Sequence, residues 1–417
     1  MTARGRVLEN HTLVVRDGRI LDLLPSADAA RRYAAGSVIR RPAHVLMPGL
    51  VNTHTRAASS PLRGIGARAA HLEAQLAGPE LARDGVLGAI AEMLTSGVTC
   101  FLDRCDFPEE AARTAAEQGM RAVVGLPVGE KPGPSANTTA GYLTEGLRVR
   151  DEFADHPLIS TVFAPHAPDT LSDATFARLA MLADELDAGI VIDLHASTAE
   201  IARSLTAHGA RPIERLWHLG LLTPALHAVH MTHSTAADIE LSQRTGIGVS
   251  LGVQACLGRE QMLPPVAALR ASGMRLGLGT GDSPCINQDL WAELKVSALM
   301  MSALHAGEPG AGAWDALAIA TRGGAAVLGL EGGIGTLEPG KWADACCVDL
   351  SGPATQPLND PVTQLVFCGG RDLVCDVWVA GRHLLSEGEF MRLDWSRAAV
   401  HADVWAARVN TEGDARG

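Results

Sequence analysis

The feature that most constrains this chain is an alternation. Eight short apolar runs are separated by longer stretches with helical periodicity. The runs are Val45–Val51, Val98–Leu102, Ala122–Leu126, Ser160–Phe163, Gly189–Leu194, Ala225–His230, Gly248–Leu251 and Arg275–Gly279; the helical stretches include Glu80–Thr95, Glu109–Gln118, Asp173–Asp187 and Thr235–Arg244. Runs this short and this apolar read as strands buried on both faces, and helices between them imply parallel pairing. Eight such units suit a closed (β/α)8 TIM-type barrel better than an open sheet. Hydrophobic residues at 47% and charged residues at 20% supply a large core and exclude a disordered chain.

The two ends have a different texture. Leu13-Val14-Val15, the turn Arg16-Asp17-Gly18-Arg19 and the returning Ile20-Leu21 predict a hairpin. Ala345–Leu350 and Val374–Ala380 are again β-rich, with a turn at Ala380-Gly381-Arg382. Neither end is large enough to fold alone. The expected architecture is therefore α/β: a barrel over residues 47–339 inserted in a small split β-sandwich domain made of residues 1–46 and 340–417.

Charge and cysteine usage narrow the function classes. Lys and Arg number 35 against 47 Asp and Glu, and the net charge of −12 argues against a nucleic-acid or anionic-membrane binder. No run approaches the roughly 18 apolar residues of a membrane span, and the first twenty residues lack an uninterrupted apolar leader core. The eight cysteines form no CxxC pair and several lie in apolar runs, which reads as buried thiols in a reducing compartment. These features predict a cytoplasmic protein that takes a small-molecule substrate. Fifteen histidines raise the question of metal or acid–base chemistry.

Five segments, in order, carry a resemblance. Met47–Thr55 resembles the first barrel strand of the amidohydrolase superfamily, and Ala164-Pro165-His166-Ala167-Pro168-Asp169 resembles its substrate-contact motif. Leu226-His227-Ala228-Val229-His230 and Leu278-Gly279-Thr280 look like later strands, and Gly335–Asp344 looks like the turn into the β domain. The likeness is strongest to the chlorohydrolase and deaminase branch, especially methylthioadenosine/S-adenosylhomocysteine deaminases. The resemblance implies one divalent metal, usually zinc, in the barrel mouth, and a homodimer. It also implies a His-x-His pair, a later His followed by a proton-shuttling Glu, a further His and a final Asp.

This chain departs from that pattern. Its first pair reads His54-Thr55-Arg56, Asp193 stands at the later His, and Ala196 stands at the Glu. His227 and His230 occupy the two positions of the family's His-x-x-His. Gly281 stands at the final Asp, with Asp282 displaced by one. Residues Ile65–Leu76 lack the Trp-rich closing segment, so the family's specificity does not carry over.

An arginine offers no lone pair to a metal. Arg56 is therefore expected to act as a fixed cation facing Asp193 and Asp282, or else to plug the site as a structural ion pair. The site is expected to hold no metal, zinc being disfavoured beside Arg56. His227, with Asp193 or Asp282, is expected to move protons. His54, His166, His195 and His230 are expected to contact substrate, with His54 orienting Arg56 or Asp193 and His195 available as a replacement ligand. The leading expectation is a diverged amidohydrolase-fold enzyme acting on a small polar nitrogen compound, by C–N hydrolysis or a metal-free acid–base reaction. Two alternatives stand beside it: a pseudoenzyme that binds a ligand or an active paralogue, and a zinc-dependent deaminase with rearranged ligands.

Overall fold

The computed structural model describes residues 6–258, 262–281, 287–304 and 311–414. Eight parallel strands close into a barrel: β1 Leu50–Thr55, β2 Val98–Asp103, β3 Arg121–Val128, β4 Ile159–Pro165, β5 Ile190–Leu194, β6 Leu226–His230, β7 Gly248–Leu251 and β8 Arg275–Leu278. Closure is made where Leu278 of β8 pairs with Asn52 of β1. Leu102 of β2 and Val123 of β3 join Val191 of β5 and Val229 of β6 in one apolar cluster. Strands that are not neighbours can meet only across the lumen, so these residues fill the interior. Because strand side chains alternate, Asp193 and His227 share that inward face with Val191 and Val229.

The first expected run divides in two. His44–Pro48 belongs to an antiparallel sheet outside the barrel, and β1 begins at Leu50. The division falls at Gly49, where a Cβ would sit 2.1 Å from Thr99 Oγ1. Only glycine lets the chain pass so close. The other seven expected runs correspond to β2 to β8, with ends differing by at most two residues.

The outer sheet has the order Glu389–Phe390, Arg382–Ser386, Val374–Val379, Ala345–Asp349 and His44–Pro48, so residues from both ends of the chain pair side by side. The predicted hairpin forms from His11–Arg16 and Arg19–Pro25, with Asp17 and Gly18 both at positive φ. The β-rich reading of the last 80 residues overlooked a long helix, Trp395–Asp414. Its buried residues Ala398, Trp405 and Val409 recur at helical spacing. Trp405 Nε1 donates to Asp84 Oδ2 at 3.0 Å, which docks this helix on the helix Pro79–Thr95.

Candidate active site

The C-terminal ends of the strands bring three side chains together, as this architecture does generally. His54 on β1, Asp193 on β5 and His230 at the end of β6 are all buried, and one donor atom from each lies within 4.8 Å of the others. The His54 and His230 rings meet edge-on at 6.1 Å between centroids. His227 and His230 are three residues apart, so a regular strand would point them to opposite faces. His230 instead turns to φ +78° and Met231 to +54°, which ends the strand. The turn brings His230 Nε2 to 3.7 Å from Asp193 Oδ1.

Asp193 has a strong cationic neighbour, and it is not Arg56. Arg104, just past β2, pairs with Asp193 Oδ1 and donates to the carbonyl oxygens of Pro165 at 3.1 Å and His166 at 3.2 Å. Burial alone would raise the Asp193 carboxyl. Arg104, and after it His230, His54 and His166, instead hold it at about 2. Arg56 pairs with Glu73, Nη2 to Oε1 at 2.7 Å, and Ser59 Oγ donates to the same oxygen at 2.5 Å. The expected Arg56–Asp193 pair is thus replaced by two others. A guanidinium one residue beyond β1 turns away along the segment Ala57–Leu62 toward the helix Ala69–Leu76.

The remaining sequence candidates separate. His227 is buried, and neither ring nitrogen has a hydrogen-bond partner among the described residues. Burial first, then His54, Arg104 and Arg275, push its pKa well below the ordinary value, so it is neutral at neutral pH. His166 lies at the rim, 68% exposed, with Nδ1 3.4 Å from Asp193 Oδ2. His195 is not in the site. The strand stops at Leu194 and His195 turns to φ +52°, which breaks the alternation that aligned it with Asp193. Its ring lies among outer elements, with Ser234 Oγ at 3.2 Å and the Ile213 N–H at 3.4 Å. Asp282 lies outside the described residues. Gly281, just before it, donates its N–H to His54 O at 3.0 Å.

Sequence reasoning assigned no role to Arg104, Glu73 or Glu200. Glu200 accepts the N–H groups of His195 at 3.0 Å and Ala196 at 2.8 Å, fixing the turn that follows β5. Burial raises its carboxyl to about 7. An acid in the first turn of the helix Thr198–His208 was the available signal. Asp103, at the end of β2, accepts from the Ala57 N–H at 2.7 Å and Thr55 Oγ1 at 3.1 Å.

Two imidazoles and a carboxylate form a donor set that zinc accepts. The three converge in a buried site, near an imidazole, His227, that has no hydrogen-bond partner among the described residues. The residues present therefore fit a divalent metal.

The Amidohydrolase family profile matches residues 45–384. The chain belongs to the amidohydrolase family. It is 38% identical over 419 residues to a 5-methylthioadenosine/S-adenosylhomocysteine deaminase from Teredinibacter turnerae, covering 98% of this chain and 95% of the relative. A deaminase of the same description from Saccharophagus degradans is 33% identical, with 98% and 94% covered. Among solved structures, an adenosine deaminase from Xanthomonas campestris with bound zinc superposes with a TM-score of 0.93 at 37% identity, covering 98% of this chain and 95% of that one. The atrazine chlorohydrolase TrzN from Arthrobacter aurescens, complexed with zinc, shares the fold at 19% identity and a TM-score of 0.87, with 97% and 96% covered. The expectation of a site without metal is corrected here. A zinc-bound family member at 37% identity and the His54–Asp193–His230 cluster overturn it. The expectation treated Arg56 as standing beside the metal, whereas Arg56 is turned to Glu73 and His230 joins the cluster instead.

Proposed function

We propose that this amidohydrolase is a metal-dependent deaminase with a rearranged ligand set, acting on an aminopurine nucleoside. The observation that carries the reading is the convergence of His54, Asp193 and His230 in the barrel mouth. The named activities of the relatives, deamination of adenosine and its thioether derivatives, supply the substrate class. In hydrolytic deamination water adds to the carbon bearing the amino group, and ammonia leaves. His54, Asp193 and His230 would hold the metal. Bound there, a divalent ion supplies Lewis acidity and lowers the pKa of water toward neutrality.

The other residues have separable tasks. His227 is uncharged at neutral pH, so it orients water by accepting a hydrogen bond and does not store a proton. His166 stands at the exposed rim beside Asp193, where it can meet the substrate. Arg56, Ser59 and Glu73 form a polar, charge-paired cluster at the start of the loop beyond β1.

Elemental analysis combined with ammonia release tests the reading. Purified protein is expected to carry about one zinc per chain and to release ammonia from 5′-methylthioadenosine, S-adenosylhomocysteine or adenosine. A chelator is expected to abolish the release and added zinc to restore it. Protein that binds no zinc, or that releases no ammonia from any of the three, overturns it.

A further inference from the structure

Arg104 makes contacts beyond those of an ordinary ion pair. Its main-chain N–H donates to Thr55 O at 3.1 Å, next to His54 on β1. Its side chain reaches past two strands to Asp193 on β5 and is only 10% exposed. The carbonyl groups of Pro165 and His166 hold one guanidinium nitrogen without any help from Asp193. His166 O also accepts from the Asp193 N–H at 3.1 Å, so arginine and aspartate share one anchor. The cation therefore stays in place when the Asp193 carboxylate turns to another partner. A guanidinium cannot shed its charge near neutral pH.

We propose that Arg104 is a positioning residue that sets the charge of the metal site, cancelling Asp193 so that the three ligands and Arg104 together present no net charge to the ion. The inference rests on the metal-site reading above. Two imidazoles and an uncancelled carboxylate would attract a dication more strongly than the same set beside a fixed guanidinium. Arg104 thereby limits the affinity for the ion while holding its carboxylate ligand in register.

Competition between the protein and a chromogenic chelator for zinc tests this, with no need for turnover. Arg104→Gln keeps hydrogen-bonding capacity and removes the charge, so its zinc affinity is expected to rise at least about tenfold. Arg104→Lys keeps the charge and is expected to stay within about threefold of the wild type. An unchanged or weaker affinity in Arg104→Gln overturns the inference, as does an equal shift in Arg104→Lys. Where Arg104→Gln does not fold, Arg104→Met repeats the test with the same expected rise. A wild-type protein that binds no zinc overturns the metal reading itself. Zinc binding that Arg104→Gln fails to tighten overturns only the role given to Arg104.

Discussion

Two buried Arg–Asp pairs sit at opposite ends of the barrel. At the bottom, Arg121 at the start of β3 grips Asp344 through two bonds, Nε to Oδ2 at 2.7 Å and Nη2 to Oδ1 at 3.1 Å. Pro157 O takes a third guanidinium hydrogen at 3.1 Å, and the Ala380 N–H adds a donor to Asp344 at 2.7 Å. Both oxygens of Asp344 are engaged, and the pair joins the barrel to the outer sheet. At the mouth, Arg104 engages one oxygen of Asp193 and leaves the other facing His166. The chemistry of the two pairs is the same, and the difference lies in unspent hydrogen-bonding capacity. A closed pair fastens, and an open one is available for binding.

The contrast breaks most visibly in stability. Asp344→Ala leaves Arg121 buried without its partner and is expected to cost about 3–5 kcal/mol in denaturant unfolding while zinc content stays unchanged. Asp193→Ala is expected to cost about 2 kcal/mol, the worth of a carboxyl held at about 2 in place of its ordinary 3.8, and to abolish zinc binding. Equal losses from the two variants would remove the distinction.

A third buried acid sharpens it. Glu293 has backbone N–H groups as partners, Val253 at 2.6 Å and Gln254 at 2.8 Å, together with Ser297, and burial pushes it up to about 7. Its folded pKa lies above the unfolded 4.5, so the native state binds the extra proton between those values and stability falls as pH rises through that window. The Glu293 share of the loss is on the order of 3 kcal/mol from pH 5 to pH 8, Glu200 adding its own over the same window, and Glu293→Gln is expected to remove the Glu293 share in urea titrations at both pH values. A pH slope unchanged in the variant would show that burial without a cation does not set this acid. The smallest effect belongs to the exposed rim. His166→Ala is expected to move stability by less than about 0.5 kcal/mol and to raise KM several-fold in the ammonia assay, whereas an unchanged KM would take His166 out of substrate contact.

The barrel was legible because short apolar runs and period-3.6 patterns are local, and eight of them in alternation leave few topologies. The split at Gly49 was not, since the obstruction comes from Thr99, fifty residues later. In the site, His54, Asp193, His227 and His230 were legible as strand positions. Arg104 was not, because a long side chain past the end of β2 selects its partner across β3 and β4. The same reach misled the reading of Arg56, whose carboxylate lies on a helix. His195 failed for a backbone reason: alternation holds only while the strand continues. The helix Trp395–Asp414 was missed because its apolar residues are spread around it, with Trp395, Val400 and Val404 exposed beside the buried Ala398, Trp405 and Val409.

The pairing of His44–Pro48 with Ala345–Asp349 has a consequence during synthesis. The first strand leaves the ribosome long before its neighbour exists, with Asp349 following His44 by 305 positions. At ordinary elongation speeds that interval lasts roughly 15–60 s, and throughout it one edge of an apolar strand has no native partner. A nascent chain of this design needs shielding until nearly all of it has been made.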